Sequence, residues 1–226
     1  MRIRQKSSEW VLKQYRHLAH LDLWMRYQPE LCACASGEAL FLPEQSSQFL
    51  FFVLSGRLSA AVSNAGGGEI IHIFCGPGEV LGEVEFFLHR PSFSTVTALS
   101  SCAFLRISVS RCRDAISGDP EMLGFLGENL AKKLVSTAQN SARNILAPLK
   151  ARLAVRILAV AQGGVYRESL VLLADYFGVS YRHLQRLLHG FMQQGVLERQ
   201  TKGVYRVKDP EALHRCAEAA EKTDYE

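Results

Sequence analysis

The sequence predicts an α+β fold in three parts: an N-terminal antiparallel sandwich or barrel, one long helix, and a C-terminal winged helix-turn-helix. Three observations predict it. Short runs rich in Val, Ile and Phe, punctuated by turn residues, fill Leu31 to Ser110. Apolar or small residues then recur at steps of three and four from Leu123 to Ile145. Between Leu170 and Leu188 a small residue, a glycine and flanking apolar residues stand at the spacing of a tight helix–helix turn. The expected parts are residues 1–118, 119–146 and 147–226, with the boundary between the last two around Ala142 to Ala147.

Trp10 to Tyr27 is apolar at helical spacing (Val11, Tyr15, Leu18, Leu21, Leu23) and predicts an entry helix. Strands are expected in "LCACA", "EALFLPE", "FLFFVLSGRLSAAVS", "EIIHIF", "STVTALSS" and "CAFLRIS". Gly37, Gly56, Gly66 to Gly68, Gly76, Pro77 and Gly78 separate them. "SNAGGGE" predicts a flexible hairpin tip, because glycines accept either sign of φ.

Asp119-Pro120-Glu121 reads as a helix start. Asp119 caps, Pro120 suits the first turn, and Glu121 favours the positive end of the helix dipole. The stripe Leu123, Leu126, Leu130, Leu134, Thr137, Ser141 and Ile145 has the steps of a helix–helix seam. One small sandwich does not cover so long a stripe, so a second copy of the chain is the expected partner. Pro148 ends that helix, and "PLKARLAVRILAVAQ" forms another that stops at Gly163-Gly164.

In the turn motif, Ala174 permits a close crossing and Gly178 makes the turn. Leu173, Phe177 and Val179 flank it, and Ser180 caps the next helix. At about 100° per residue, Leu184, Leu187, Leu188 and Phe191 form the inner face of that helix. Arg182, Gln185, Arg186 and His189 lie opposite, flanked by Tyr181 and His183. Arg suits guanine O6/N7 and Gln suits adenine. "GVLERQTKGVYRV" then predicts a hairpin wing with a tip at Gln200 to Gly203, placing Arg199, Lys202 and Arg206 near phosphates.

Charge placement agrees. The net charge of +4 is modest. Val165 to Lys208 alone holds seven bases against three acids, whereas Asp209 to Glu226 holds six acids against two bases. A basic segment of that size predicts a polyanionic partner. No apolar run approaches the roughly 20 residues of a membrane span, and no apolar segment follows the basic residues of Met1 to Trp10. A soluble, cytoplasmic protein without a membrane partner is expected.

In this order, these parts resemble the CRP/FNR family of bacterial transcription regulators over nearly the whole chain. The likeness rests on "FLFFVLSGRLSAAV", "FCGPGEVLGEVEFF", "STVTALSSCAFLRIS" and "LADYFGVSYRHLQRLL"; "VSYRHL" is similar to the YeiL-like branch. It implies a cyclic-nucleotide-binding-like β-roll (a jelly roll) as sensor, a dimerisation helix, and a winged helix on palindromic double-stranded DNA, with RNA polymerase as partner. It assigns base reading to Tyr181, Arg182 and Arg186, and phosphate contacts to Ser180 and His183.

"GEVEFFLHRPSFSTVT" resembles the family's phosphate-binding cassette, which places an effector pocket at Gly82, Glu83, Arg90, Ser94 and Thr95. In cyclic-nucleotide binders the glutamate takes the ribose hydroxyl and an arginine before Ser or Thr neutralises the phosphate. Here that position falls at Phe93 or Ser92, and Arg90 belongs to the loop. A buried phosphate without a cation is costly, so cyclic AMP is not the expected effector. Glu83 is then a turn residue held by backbone amides.

The six cysteines (Cys32, Cys34, Cys75, Cys102, Cys112, Cys216) do not read as a disulfide framework. No cofactor is expected. Family members with an iron–sulfur cluster carry a cysteine cluster in an N-terminal extension, and no cysteine precedes Cys32. Only Cys32, Cys34, Cys75 and Cys102 are available as cluster ligands, and His72 or Cys75 for haem. A thiol redox switch needs exposure and a lowered pKa. The expected role of these thiols is small apolar packing.

Two other function classes remain. A cupin-like jelly-roll metal enzyme needs two histidines and a carboxylate facing inward; the chain offers His72 and His89 with Glu83 and Glu85 but no H-x-H pair. A sensor module acting only through protein contacts has no use for the outward arginines. The expectation is therefore a regulator, not an enzyme.

Overall fold

The computed structural model describes residues 2–3, 7–45, 48–63 and 69–221. They fall into two compact units, one holding the chain up to Ser63 and His72–Ser136, the other residues 69–71, at the start of one strand, and the chain from Thr137 onward.

The first unit is built from β1 (Arg2–Ile3), α1 (Ser8–Tyr15), α2 (Leu21–Met25), β2 (Glu30–Cys34), β3 (Ala39–Phe41), β4 (Phe49–Ser55), β5 (Leu58–Ser63), β6 (Glu69–Cys75), β7 (Val80–Leu81), α3 (Glu83–Leu88), β8 (Thr95–Ala98), β9 (Cys102–Ser108), α4 (Val109–Ser117) and the start of α5 (Pro120–Leu146). Two sheets form, in the orders β1-β2-β9-β4-β7 and β3-β8-β5-β6. The expected β-roll is present.

β4 shows why its sequence runs apolar without alternation. Phe51 and Val53 pack with Leu58, Ala60 and Phe104 between the sheets. Leu50, Phe52 and Leu54 point the other way, onto Trp24 and onto Met122, Phe125 and Leu126 of α5. A strand buried on both faces needs apolar residues at every position. The β4–β5 turn requires its glycine: Gly56 has φ +95°, and a Cβ there would lie 2.4 Å from Cys102 Sγ.

Several expectations change. The entry helix is two short helices, broken where His20 adopts φ 61°. β1, β7, α3 and α4 were not expected. The "SNAGGGE" tip falls on residues 64–68, outside the described residues. The start of α5 follows the sequence, with Asp119 Oδ1 accepting from the Glu121 and Met122 amides.

The seam needs a correction. Leu126 is fully buried in its own protomer's core, and Leu123 packs against the same cluster. Fixing the roll onto α5 consumes the first two positions. The outward stripe is Gly127, Ala131, Leu134, Ala138 and Ser141, with Leu134 71% exposed.

α5 ends at Leu146, and Pro148 precedes α6 (Leu149–Val160). The second unit continues with β10 (Val165–Arg167), α7 (Leu170–Phe177), α8 (Tyr181–Gln193), β11 (Leu197–Thr201), β12 (Val204–Val207) and α9 (Pro210–Glu221). The wing is a three-stranded sheet, β10-β12-β11, and β10 was not expected. Leu153, Ile157, Tyr166, Leu173, Phe177, Leu184, Leu188, Phe191 and Leu213 form one core. Arg156 of α6 pairs through Nε and Nη2 with both Glu168 carboxylate oxygens, and Tyr166 donates its hydroxyl to Glu168 at 3.2 Å.

Candidate nucleic-acid interface

The interface is assembled by the turn between α7 and α8. Gly178 ends α7 at φ +64°, a left-handed conformation that costs other residues about 1–2 kcal/mol. Its amide donates to Asp175 O, and the Val179 amide donates to Ala174 O at 3.0 Å. Ala174 is buried at this crossing. Ser180 then caps α8, its Oγ accepting from the His183 amide at 3.3 Å.

Leu184, Leu188 and Phe191 are buried and pin α8 to the unit's core. That fixes the opposite face. Tyr181, Arg182, His183, Gln185, Arg186 and His189 are exposed. Ser180, Arg182, Gln185, Arg186 and His189 line an open concavity of 680 Å³. His189 belongs with the four residues picked for base reading; its place in the outward arc was the signal for it. Gln185 Nε2 donates to Tyr181 Oη at 3.1 Å, coupling the two one helical turn apart.

Lys202 and Gly203 form the wing tip, since β11 extends through Thr201. Arg199, Lys202 and Arg206 are all exposed. Arg199 Nε bonds Thr201 O at 3.4 Å. Arg206 sits opposite Glu198 in the strand register, while the Glu198 carboxylate pairs with Lys208 at 3.8 Å and accepts from Gln200 at 3.2 Å. Gly190, inside α8, has open space where a Cβ would stand, with nothing within 4 Å.

In the first unit, the residues assigned to an effector pocket differ in exposure. Gly82 precedes α3 at φ +93°, Glu83 and Ser94 are buried, Thr95 is half-buried in β8, and Arg90 is exposed beyond α3. Phe93 is exposed and stacks on His72, with centroids 5.9 Å apart. His72 Nε2 lies 3.2 Å from Ser94 Oγ. The Glu83 carboxylate bonds its own backbone amide, in line with the expectation, but that is not its only partner. Its carboxylate takes Lys133 Nζ of α5, a partner the sequence reading missed. Burial pushes the Glu83 carboxyl up, opposed by Lys133.

Cys34 and Cys102 face each other across β2 and β9, and both join Cys75 in the core between the sheets. Burial pushes the Cys34 thiol up to about 11 and Cys75 to about 12, and raises Cys32 as well. Thiols so shifted are poor nucleophiles, since that role needs the thiolate. Among the described residues, no group of three or more His, Cys, Asp or Glu is arranged to hold a metal ion, and no helix is long and apolar enough to cross a membrane.

Comparison with known proteins covers both units. Residues 32–119 match the cyclic nucleotide-binding domain, and residues 151–216 match the Crp-like helix-turn-helix domain. The regulatory protein YeiL of Escherichia coli O157:H7 is 32% identical over 175 residues, which is 76% of this chain and 78% of that protein. A CRP-like cAMP-activated global transcriptional regulator of Mycobacterium tuberculosis is 26% identical, over 80% of this chain and 85% of that one. A solved CRP/FNR-family transcriptional regulator from Thermus thermophilus shares the fold, with a TM-score of 0.72, 18% identity, 84% of this chain and 100% of that one. These relatives are transcriptional regulators rather than enzymes, which removes the cupin-like reading. With its sheet-rich sensor unit, its long helix and its helix-turn-helix DNA-binding domain, the chain belongs to the CRP/FNR family of transcription regulators.

Proposed function

We propose that the chain is a homodimeric, sequence-specific regulator of duplex DNA, that cyclic AMP is not its effector, and that it carries no metal or cluster. The observation that carries the DNA reading is the outward face of α8, where donors converge on one concavity while the leucines opposite hold the helix down. Tyr181, Arg182, Gln185 and Arg186 read base edges in the major groove; Ser180, His183, Arg199, Lys202 and Arg206 meet phosphates. The outward stripe from Gly127 to Ser141 is the surface for the second copy, which sets two half-sites about one helical turn apart. RNA polymerase is the partner on that DNA by family likeness.

Two features support an effector other than cyclic AMP. The cassette's cation position falls at Phe93 or Ser92, neither of them a cation, and Glu83 is engaged by Lys133. A phosphate there would find no guanidinium at that position. The cAMP-activated relative thus does not lend its ligand to this chain.

Selection of duplexes from a random pool, followed by sedimentation of the complex, tests the reading. It expects an enriched palindrome bound by two protomers, with affinity unaltered by cyclic AMP. An enriched site without symmetry, a single bound protomer, or a cyclic AMP-dependent gain in affinity would each overturn the corresponding part.

A further inference from the structure

Glu83, at the start of α3, is 2% exposed, and the side chain of its partner Lys133 is 14% exposed. Lys133 Nζ also donates to Val80 O. One turn earlier on α5, the buried Asn129 accepts from the Val80 amide at 3.2 Å. Two side chains four residues apart on α5 therefore take both backbone polar groups of one residue, and the second of them takes a carboxylate as well.

The position of Val80 explains why its backbone is available. β7 has only two residues and lies at the edge of its sheet. β4 bonds to the chain just before it, with the Gly78 amide donating to Val53 O and the Val53 amide donating to Glu79 O, each at 2.9 Å. The polar groups of Val80 are met by α5 instead. A helix thus satisfies a strand edge that would otherwise need a neighbouring strand.

Such a pair is a poor source of net stability. Removing a carboxylate and an ammonium from water costs several kcal/mol per ion, and a well-packed apolar pair is often as stable. What it supplies is geometry. Lys133 reaches both Val80 O and Glu83 in one position of α5 along the roll, and Asn129 reaches the Val80 amide only in that same position. Glu83 is also the residue that the family likeness assigns to a ribose hydroxyl, and here its carboxylate is already taken from within the chain.

We propose that Asn129, Lys133 and Glu83 form a standing internal clamp that takes the place of an effector, holding α5 against the β-roll in its DNA-binding register without any small molecule. This rests on the reading of the chain as a DNA-binding dimer. The clamp makes DNA binding constitutive, and it leaves the roll no free carboxylate at this position for a nucleotide sugar.

The test uses full-length protein, exhaustively dialysed and checked by mass spectrometry for bound small molecules, on its selected duplex. Three forms are compared: wild type, Lys133→Met, and the double variant Glu83→Gln with Lys133→Met. The double variant leaves no unpaired buried charge, so it separates loss of the clamp from misfolding; tryptophan fluorescence confirms that the roll is folded. Wild type is expected to bind without additive, and millimolar cyclic AMP, cyclic GMP or cyclic di-GMP leaves its affinity unchanged. The folded double variant is expected to bind about tenfold or more weakly, within the usual range of coupling between sites. Hydrogen exchange at the Val80 amide, which donates to Asn129 one turn from Lys133 on α5, reads the clamp independently of DNA and is expected to speed up in both variants because α5 loosens on the roll once Lys133 lets go. The clamp proposal is overturned if the double variant binds like wild type, if Val80 exchange is unaltered, or if any of the cyclic nucleotides raises wild-type affinity. A wild type that enriches no duplex at all, with Val80 exchange still dependent on Lys133, overturns the DNA reading and leaves the clamp's geometry standing.

Discussion

Replacing Glu168 by Ala should destabilise the second unit far more than removing the whole ion pair. The Arg156 and Glu168 side chains are 15% and 14% exposed, joined by two hydrogen bonds. Glu168→Ala leaves the guanidinium without its carboxylate, at a cost of about 3–5 kcal/mol. Tyr166 loses its acceptor too, which adds about 1 kcal/mol. Arg156→Met with Glu168→Leu removes both charges of the pair together, so the cost falls to the order of the orphaned tyrosine hydroxyl, about 1 kcal/mol. For a unit of this size a urea slope near 1–1.5 kcal/mol per molar turns the single change into a midpoint lower by roughly 3–6 M. Both tryptophans, Trp10 and Trp24, belong to the first unit, so their fluorescence serves as an internal control. Far-UV circular dichroism should show an early loss of helix in Glu168→Ala while the tryptophan transition stays in place. Equal destabilisation by the single and double changes, or a single-variant loss below about 0.5 kcal/mol, would refute the reasoning.

Arg186→Ala should weaken binding to the selected operator by about 1–3 kcal/mol, roughly five- to 150-fold, and relax preference at one base pair; competition against single-base variants reads both. Gly190→Ala should raise the stability of the second unit by about 1 kcal/mol, because α8 is a regular helix there and a Cβ has room; a lower urea midpoint would contradict this. Asp119 is held below its usual 3.8, first by the Tyr27 hydroxyl and then by the Met122 amide. A depressed carboxyl stabilises the fold above its unfolded value and loses that contribution as pH falls through the folded value. The gap in first-unit stability between wild type and Asp119→Asn should therefore close below pH 3.8 and remain constant near neutrality.

The α8 face was legible because every relevant signal is local. Gly178, Ser180 and the 3.6-residue spacing of Leu184, Leu188 and Phe191 fall within a dozen or so residues, and they set which side chains face out. The strands of the roll were legible for the same reason. What the sequence hid is pairing across distance. Glu83 and Lys133 stand 50 residues apart, and neither carries a pattern that points to the other. The stripe on α5 shows a similar limit: periodicity revealed an apolar face at Leu123 and Leu126, but not that the protomer's own roll covers it. Elements of two or three residues, such as β7 and β10, are too short to carry a period. The break between α1 and α2 depends on the backbone of His20, a residue type that does not announce a left-handed turn.

The most direct measurement of the central claim is the salt dependence of binding to the selected duplex. In the proposed dimer on DNA, Arg199, Lys202 and Arg206 supply three phosphate-facing cations per protomer, six in all, each releasing about 0.9 counterion. The logarithm of the association constant should fall with the logarithm of salt concentration at a slope of about −5, and changing Lys202 to Ala should make that slope shallower by about 2. A slope near zero, or one indifferent to Lys202, would contradict the account.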